Sequence, residues 1–482
     1  MVRTAVVFNY CGKIILIIGV AMLTVVLCSF YYKESISYQL LGASLIPLLA
    51  GTLISYGFRH NYEMNYRESF AIVTFSWITA SLFGTLPYIA SGYMPSFANA
   101  LFETVSGFST TGATVLYDVE ALPHSLLYWR SLTQWLGGMG IMALFIAVIV
   151  GIGSKANQIF RVEVPGPVSA KVSPRIRETA KILWTAYVSL SVILLVLLYV
   201  FGMDFFDALC HTFSTMATGG FSTKNQSVAY YQTPVLQWII ILFMFISGAS
   251  FSLHYLLVKN RSIRHYLQNR EFIAYFLLIA AAVILILINM GETFPGLEEK
   301  IRAAVFQTVS ILTTTGFSTD NYDVWTPSAQ TVLFVLMFIG GCAGSTSGNA
   351  KIGRYMIMLR RAVIEFRQMI HPQAIIPLRF GDKVLSNNLI MNVMQFFFIY
   401  ILIILTGTLV LSFCGLDIFS SFSASLSSLA NIGPGWRMVG PAESYAFLPD
   451  TAKYMLALFM LIGRLEILPV IVIFFPQFWQ EQ

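Results

Sequence analysis

Four short glycine-centred stretches carry the residue types from which a cation-coordinating site can be built. They read Thr110-Thr111-Gly112-Ala113-Thr114, Thr218-Gly219-Gly220-Phe221-Ser222, Thr314-Thr315-Gly316-Phe317-Ser318 and Asn431-Ile432-Gly433-Pro434-Gly435. Backbone carbonyls can replace the hydration shell of an alkali cation. Such a lining needs glycine where the backbone takes positive φ or passes close to a neighbour. Threonine two residues before the glycine, or Asn431 in the fourth stretch, adds a side-chain oxygen. The candidate ion ligands are therefore Thr110, Thr111, Gly112, Thr218, Gly219, Gly220, Thr314, Thr315, Gly316, Asn431, Ile432 and Gly433.

Aligned on Gly112, Gly220, Gly316 and Gly433, the upstream residues match without gaps. A hydroxyl stands eight before (Thr104, Thr212, Thr308, Ser425) and a serine six before (Ser106, Ser214, Ser310, Ser427). One such stretch would read as small residues packing helices together. Four registered copies read as an internal repeat.

The elements around them follow from composition. Of 482 residues, 57% are hydrophobic and 11% charged, against about 25% charged in a soluble protein. Apolar runs near the length of a bilayer span recur throughout. They are continuous, not alternating, which excludes an outer-membrane barrel. The expected fold is all-α and polytopic. The net charge of +6 is spread between apolar runs, so it does not mark nucleic-acid binding. The five cysteines show no metal or disulfide spacing. The first apolar run lacks a cleavage site and reads as a retained helix.

Runs 14–31 and 38–58 form an N-terminal pair. Each repeat then has a long helix, a shorter stretch leading into the glycine loop, and a second long helix. The first uses 68–92, 96–109 and 125–151, the second 179–202, 204–217 and 234–258. The third uses 270–291, 298–313 and 327–358, the fourth 384–414, 417–430 and 451–475. Divided accordingly, the chain has an N-terminal segment 1–62 and repeats 63–160, 161–262, 263–372 and 373–482. The middle stretches are too short to span and are expected to be re-entrant, with their negative C-terminal dipole ends favouring cations.

Basic residues cluster in alternate links: Arg59 and Arg67; Lys155, Arg161, Lys171, Arg175, Arg177 and Lys181; Lys259, Arg261, Arg264 and Arg270; Arg354, Arg360, Arg361, Arg367, Arg379 and Lys383. By the positive-inside rule these face the cytoplasm, as does the N-terminus. The glycine-loop side is acidic, with Asp118, Glu120, Asp204, Asp207, Glu292, Glu298, Asp320, Asp323, Asp417, Glu443 and Asp450. No repeat is inverted, so all four stand parallel around one axis, unlike inverted-repeat transporters. The links 153–178 and 360–383 mix basic with Pro or apolar residues. They read either as interfacial amphipathic segments or as docking sites for a cytoplasmic partner.

Within 327–358 the segment Gly340, Gly341, Cys342, Ala343, Gly344, Ser345, Thr346, Ser347, Gly348, Asn349 is a poor helix. It is expected to break the span near mid-membrane, the alternative being a glycine-packed kink. Arg464 lies inside an apolar run, where an ionisable residue usually faces a cavity or a partner. It is expected to face the pore beneath the loops and repel cations, the alternative being a structural pair with Glu103.

These residues carry a resemblance. The four loops, the 340–349 segment and Gly463-Arg464-Leu465-Glu466 are similar to the TrkH subunits of bacterial Trk potassium uptake, within the Trk/Ktr/HKT superfamily. The N-terminal pair favours TrkH over KtrB. The resemblance implies a K⁺-conducting pore in the bacterial inner membrane, made by one chain within a homodimer. It implies gating by the 340–349 loop with Lys351 at its end, and by a cytosolic TrkA-type ring that binds the nucleotide. K⁺ is then the transported ion, and no organic cofactor is expected on this chain. Glycine at position 112, where serine accompanies Na⁺ transport in the superfamily, leans towards K⁺. The tyrosine of the TVGYG pattern is absent from all four loops, which implies weaker K⁺/Na⁺ discrimination.

Two rivals are weighed. One is K⁺ symport coupled to H⁺ or Na⁺ through the same filter. The other is an intramembrane enzyme using Glu103, His211 and Ser214, for which GxSxG, HExxH and paired aspartates are all lacking. No GxxxxGK[ST] motif is present for ATP hydrolysis.

Overall fold

The computed structural model describes residues 2–59, 65–150, 176–291, 294, 296–374, 376–380 and 383–480. Most of the link 153–178, together with Glu292 and Ile375, lies outside the described residues. Helices dominate. Among the described residues the one strand pairing joins Arg379–Phe380 antiparallel to Lys383–Val384.

Helices Thr4–Tyr31 and Ser37–Gly57 form the N-terminal pair. Their backbones approach closely because glycine lines the crossing: a Cβ on Gly51 would lie 2.6 Å from the Leu16 amide nitrogen. A three-helix unit then occurs four times. It comprises Tyr66–Gly84, Phe97–Phe108 and His124–Val150, then Ile176–Val200, Phe205–Met216 and Pro234–Gly248. It continues with Arg270–Asn289, Leu297–Leu312 and Pro327–Leu336, then Asn387–Phe413, Ile418–Ala430 and Asp450–Arg464.

The middle helices have 12, 12, 16 and 13 residues. At about 1.5 Å per residue they fall short of a hydrocarbon core of about 30 Å. Three start at a side-chain cap: Ser96, Asp204 and Asp417 each accept from a backbone N–H in the first turn. The third starts at Gly296 without one, but Glu298 and Glu299 complement its dipole. These polar helices are buried, while large apolar side chains such as Leu53, Ile288, Phe398 and Phe413 point outward. That inversion suits a lipid solvent. Among the described residues six helices are long and apolar enough to cross a membrane.

The breaks require a correction. The apolar runs 234–258 and 451–475 read as unbroken helices, with only 327–358 interrupted. The structure interrupts all three. Pro234–Gly248 and Phe251–Asn260 meet at 97°, and Asp450–Arg464 and Leu468–Phe474 at 116°. The second-repeat break falls at Ala249, which is extended. Its freed carbonyls are used elsewhere: Gly248 O accepts from the Cys342 N–H at 2.9 Å and Ser247 O from the Thr346 N–H at 3.3 Å. The fourth-repeat corner holds Glu466 and Ile467 at φ 61° and 65° and sets Glu466 2.5 Å from Arg354. Both breaks thus find their partners in the interrupted third-repeat segment. A hydropathy run cannot reveal this, because the compensating groups are on another repeat.

A buried ion pair within the first repeat also reaches the second. Arg130 Nε lies 2.8 Å from Glu103 Oε1, with both side chains almost fully buried. Arg130 also donates to Ser222 O at 3.0 Å and stacks 4.0 Å above the Phe221 ring. Glu103 in turn accepts from the Val115 N–H at 3.0 Å. Removing one partner strands a buried charge, so Glu103→Ala is expected to destabilise the protein by about 3–5 kcal/mol and Glu103→Gln by less. Thermal unfolding in detergent checks this, and an alanine variant melting with the parent would sink it.

Candidate ion-conduction site

Each middle helix ends the same way. The residue two before the glycine is left-handed in every loop, with φ of 57° at Thr110, 52° at Thr218, 58° at Thr314 and 56° at Asn431. Its N–H bonds back to Gly107 O, Thr215 O, Ile311 O or Ser428 O at 3.0–3.3 Å. The following N–H reaches Ser106 O, Ser214 O, Ser310 O or Ser427 O at 2.8–3.0 Å. This double bond pattern is a Schellman ending, in which glycine usually takes the left-handed position. Asparagine tolerates that conformation. A β-branched threonine there is an outlier costing about 1–3 kcal/mol, and it occurs at the same register three times. One residue intervenes, and the backbone is left-handed again at Gly112, Gly220, Gly316 and Gly433, with φ 83°, 76°, 78° and 98°.

In loops one, three and four the repeated serine holds the returning limb, while Ser214 Oγ of loop two has no hydrogen-bond partner among the described residues. Ser106 Oγ donates to Ala113 O at 2.5 Å, Ser310 Oγ to Phe317 O at 2.7 Å, and Ser427 Oγ to Gly433 O and Pro434 O at 2.8 and 3.0 Å. The residue nine before the glycine braces the next stretch. Glu103 receives the Thr114 hydroxyl and Val115 N–H, His211 Nε2 meets Ser222 Oγ at 3.0 Å, and Gln307 donates to Asp320 O at 3.4 Å. Ala424 has no such group. There Tyr445 OH donates to Gly433 O at 2.9 Å and Tyr322 OH to Gly435 O at 3.0 Å. The imagined enzyme cluster therefore does not assemble: Glu103 serves Arg130, and His211 serves Ser222 and Asp207.

The loops meet in a closed ring. A Cβ on Gly112 would collide with Gly219 O, one on Gly220 with Thr315 O, one on Gly316 with Ile432 O, and one on Gly433 with Thr111 O. The succession runs from loop one to two, three, four and back to one. Eight of the twelve candidate ligands, Thr111, Gly112, Gly219, Gly220, Thr315, Gly316, Ile432 and Gly433, meet in this ring, and Thr110, Thr218, Thr314 and Asn431 immediately precede them in the chain. Two further contacts were not foreseen. Asn431 Nδ2 donates to Thr111 Oγ1 at 2.9 Å, joining loops four and one. Gln134 fills the space beside Gly219, the one loop without a side chain there, donating to Gly219 O at 2.6 Å and accepting from the Phe221 N–H at 3.1 Å. The doubled glycine of loop two was the available signal.

Between Pro327–Leu336 and Ile352–Ile370 the third-repeat chain leaves the helix. Its stem closes through Gly340 N–H to Ala350 O at 2.9 Å and Ile352 N–H to Gly341 O at 3.3 Å. One oxygen of buried Glu271 accepts from both the Ala343 and Gly353 N–H groups, at 2.9 and 3.0 Å. Gly344 lies at the second-repeat break, where its carbonyl accepts from the Phe251 N–H at 3.0 Å, while Ser345 Oγ donates to Cys342 O at 2.6 Å. Thr346 and Gly348 lie against the ring. Gly348 N–H donates to Thr314 Oγ1 at 2.7 Å. Thr346 Oγ1 lies 3.1 Å from Met216 O and 3.4 Å from Thr218 Oγ1. Asn349 is fixed by Met337 O and by Tyr400 OH at 2.7 and 2.9 Å.

Buried cations hold the carbonyls of this tip. Lys351 Nζ donates to Ser347 O and Gly348 O, and Arg464 Nη1 to Thr346 O at 2.8 Å. Arg464 Nη2 reaches Gly137 O at 3.3 Å. The alternative pairing of Arg464 with Glu103 does not occur, since Glu103 is held by Arg130. Glu466 turns away to Arg354, as its two-residue offset requires. Glu271 was not singled out from the sequence, and nothing in its local pattern marks it.

The chain is similar to known proteins over almost its whole length. The family profile TrkH, described as a cation transport protein, matches residues 38–481. The Trk system potassium uptake protein TrkH of Escherichia coli K12 is 35% identical over 478 residues, covering 98% of each chain. TrkH of Halomonas elongata is 36% identical over 481 residues with the same coverage. The crystal structure of the potassium transporter TrkH from Vibrio parahaemolyticus superposes with a TM-score of 0.88 at 33% identity, covering 99% of this chain and 100% of that one. Multiple apolar helices, four convergent glycine loops and full-length similarity together place the chain in the TrkH family of cation transport proteins.

Proposed function

We propose that this chain carries K⁺ into a bacterial cell by channel-like conduction through the ring of four glycine loops. The observation that carries the reading is the closed succession of glycine–carbonyl approaches around one axis, with relatives named for potassium uptake in support. The segment 1–62 flanks the pore, and the repeats 63–160, 161–262, 263–372 and 373–482 each supply one loop. The links and N-terminus face the cytoplasm of the inner membrane. The chain works as a homodimer on a cytosolic TrkA-type ring, and that ring carries the nucleotide.

K⁺ enters from the acidic side and exchanges water for carbonyl and side-chain oxygens of residues 110–112, 218–220, 314–316 and 431–433. It then meets the loop 340–351, which shuts the path while Arg464 and Lys351 hold the tip carbonyls. The membrane potential supplies about 2.3 kcal/mol per charge per 100 mV, so no coupling ion is required. Purified protein in liposomes is expected to give a reversal potential that follows the K⁺ gradient alone. Dependence on an H⁺ or Na⁺ gradient would replace conduction by symport.

Gly112→Ser, Gly220→Ser, Gly316→Ser and Gly433→Ser each place an atom against a neighbouring carbonyl. Displacing that carbonyl by about 1.4 kcal/mol of strain corresponds to about tenfold in the K⁺/Na⁺ flux ratio. Ratios unchanged in all four folded variants would remove the filter assignment.

Arg464→Ala releases the Thr346 carbonyl and deletes a positive charge from the path. K⁺ flux in the absence of any partner subunit is expected to rise severalfold. Equal flux from a folded variant would reduce Arg464 to a packing role.

A further inference from the structure

The side-chain oxygens two before each glycine are not in the same state. Thr110 Oγ1 and Asn431 Oδ1 are fully buried and have no hydrogen-bond partner among the described residues. Thr314 Oγ1 is taken by the Gly348 N–H at 2.7 Å. Thr218 Oγ1 donates to Ala217 O at 2.6 Å and lies 3.4 Å from Thr346 Oγ1. The same tip crowds loop four, since a Cβ on Gly348 would lie 2.8 Å from both Ala430 O and Asn431 Cβ. The 346–348 tip therefore occupies the underside of three of the four loops.

Its chemistry imitates a cation. The Gly348 N–H offers positive partial charge to Thr314, while the tip carbonyls that would attract an ion are consumed by Lys351 and Arg464. A hydroxyl oxygen has two lone pairs. An alkali ion bound to Thr314 Oγ1 beside an amide hydrogen on that same atom would be repelled by it. The two orphaned oxygens then lack the other half of a coordination shell.

We propose that the oxygens of Thr110, Thr218, Thr314 and Asn431 form a cation site that exists only when the 346–348 tip is withdrawn, so that K⁺ binding there and closure of the loop exclude one another. The inference rests on the pore reading above. Linkage makes the effect reciprocal: K⁺ at this site favours the withdrawn loop, and a latched loop lowers the affinity of the site by the same factor. The ion thereby helps to open its own path, and the asymmetry among loops has a use. Loops two and three carry the latch, while loops one and four keep free oxygens for the arriving ion.

The test is hydrogen–deuterium exchange of the full chain, read on peptides covering residues 340–351, in K⁺ and in N-methyl-D-glucamine at equal ionic strength. Exchange is expected to be at least about fivefold faster in K⁺, the lower end of typical coupling factors. Thr314→Val removes the acceptor of the Gly348 N–H, so exchange should be fast in both salts. Thr110→Val weakens the ion site without touching the latch, so exchange should be slow in both. Thr314→Ser keeps the oxygen and should restore the K⁺ response, which a mere packing defect would not. If exchange in the parent protein is the same in both salts, the exclusion is wrong. Flux measured on the same preparation separates the two readings. Conduction without a K⁺ effect on exchange overturns only this inference, whereas absence of conduction overturns the pore itself.

Discussion

The structure depends on four backbones approaching so closely that each glycine leaves no room for a Cβ against its neighbour's carbonyl. That approach must close on itself, since the fourth loop touches the first. A closed ring allows no repeat to shift alone. The same constraint explains the strained threonines. The helix must end and reverse within a few residues to deliver its glycine, and the Schellman ending achieves this by turning the residue two before into the left-handed region. Threonine is unfavourable there but carries a side-chain oxygen that glycine lacks. The strain is held by bracing from Ser106, Ser310 and Ser427 and, in loops one to three, from the residue nine before the glycine.

Symmetry in the loops contrasts with asymmetry around them. The first repeat keeps one continuous second helix, His124–Val150, while the other three are interrupted. Those interruptions depend on each other. The carbonyls freed at 247–248 receive N–H groups from the third-repeat loop, and the corner at 466–467 is held by Arg354 just after that loop. Unpaired backbone groups are tolerated at membrane depth only where they are buried in protein or line water. Here they satisfy one another. The loop 340–351 is thus a component of the tertiary structure, anchored at Glu271, Tyr400, Arg464 and the second-repeat break.

Some of the buried charge bridges repeats. Glu103 and Arg130 join the return limbs of loops one and two, and Arg464 joins the first-repeat helix at Gly137 to the tip at Thr346. Ions in such surroundings are costly without partners. Their placement makes the relative positions of repeats a condition for satisfying them. The exterior, in contrast, is apolar and indifferent to register, as lipid contact permits.

The amino-acid sequence by itself determined the class, the repeat and the ring members. Composition admits only a lipid solvent, and the registered spacing of Ser106, Ser214, Ser310 and Ser427 before Gly112, Gly220, Gly316 and Gly433 marks four equivalent units. The glycine-rich run 340–349 likewise announced its own break. These features are local, and local backbone preference is written in adjacent residues. Tertiary structure alone decided which partners the polar groups found. Arg464 could have met Glu103 as far as spacing goes, but Arg130 lies nearer and holds it. The breaks at Ala249 and Ile467 and the clamp of Gln134 are likewise fixed by groups on another repeat, and Glu271 finds its two N–H donors 72 and 82 residues further along the chain. A helix break is stable only where distant atoms satisfy the backbone it frees, and that pairing leaves no trace in the run of residues where the break occurs.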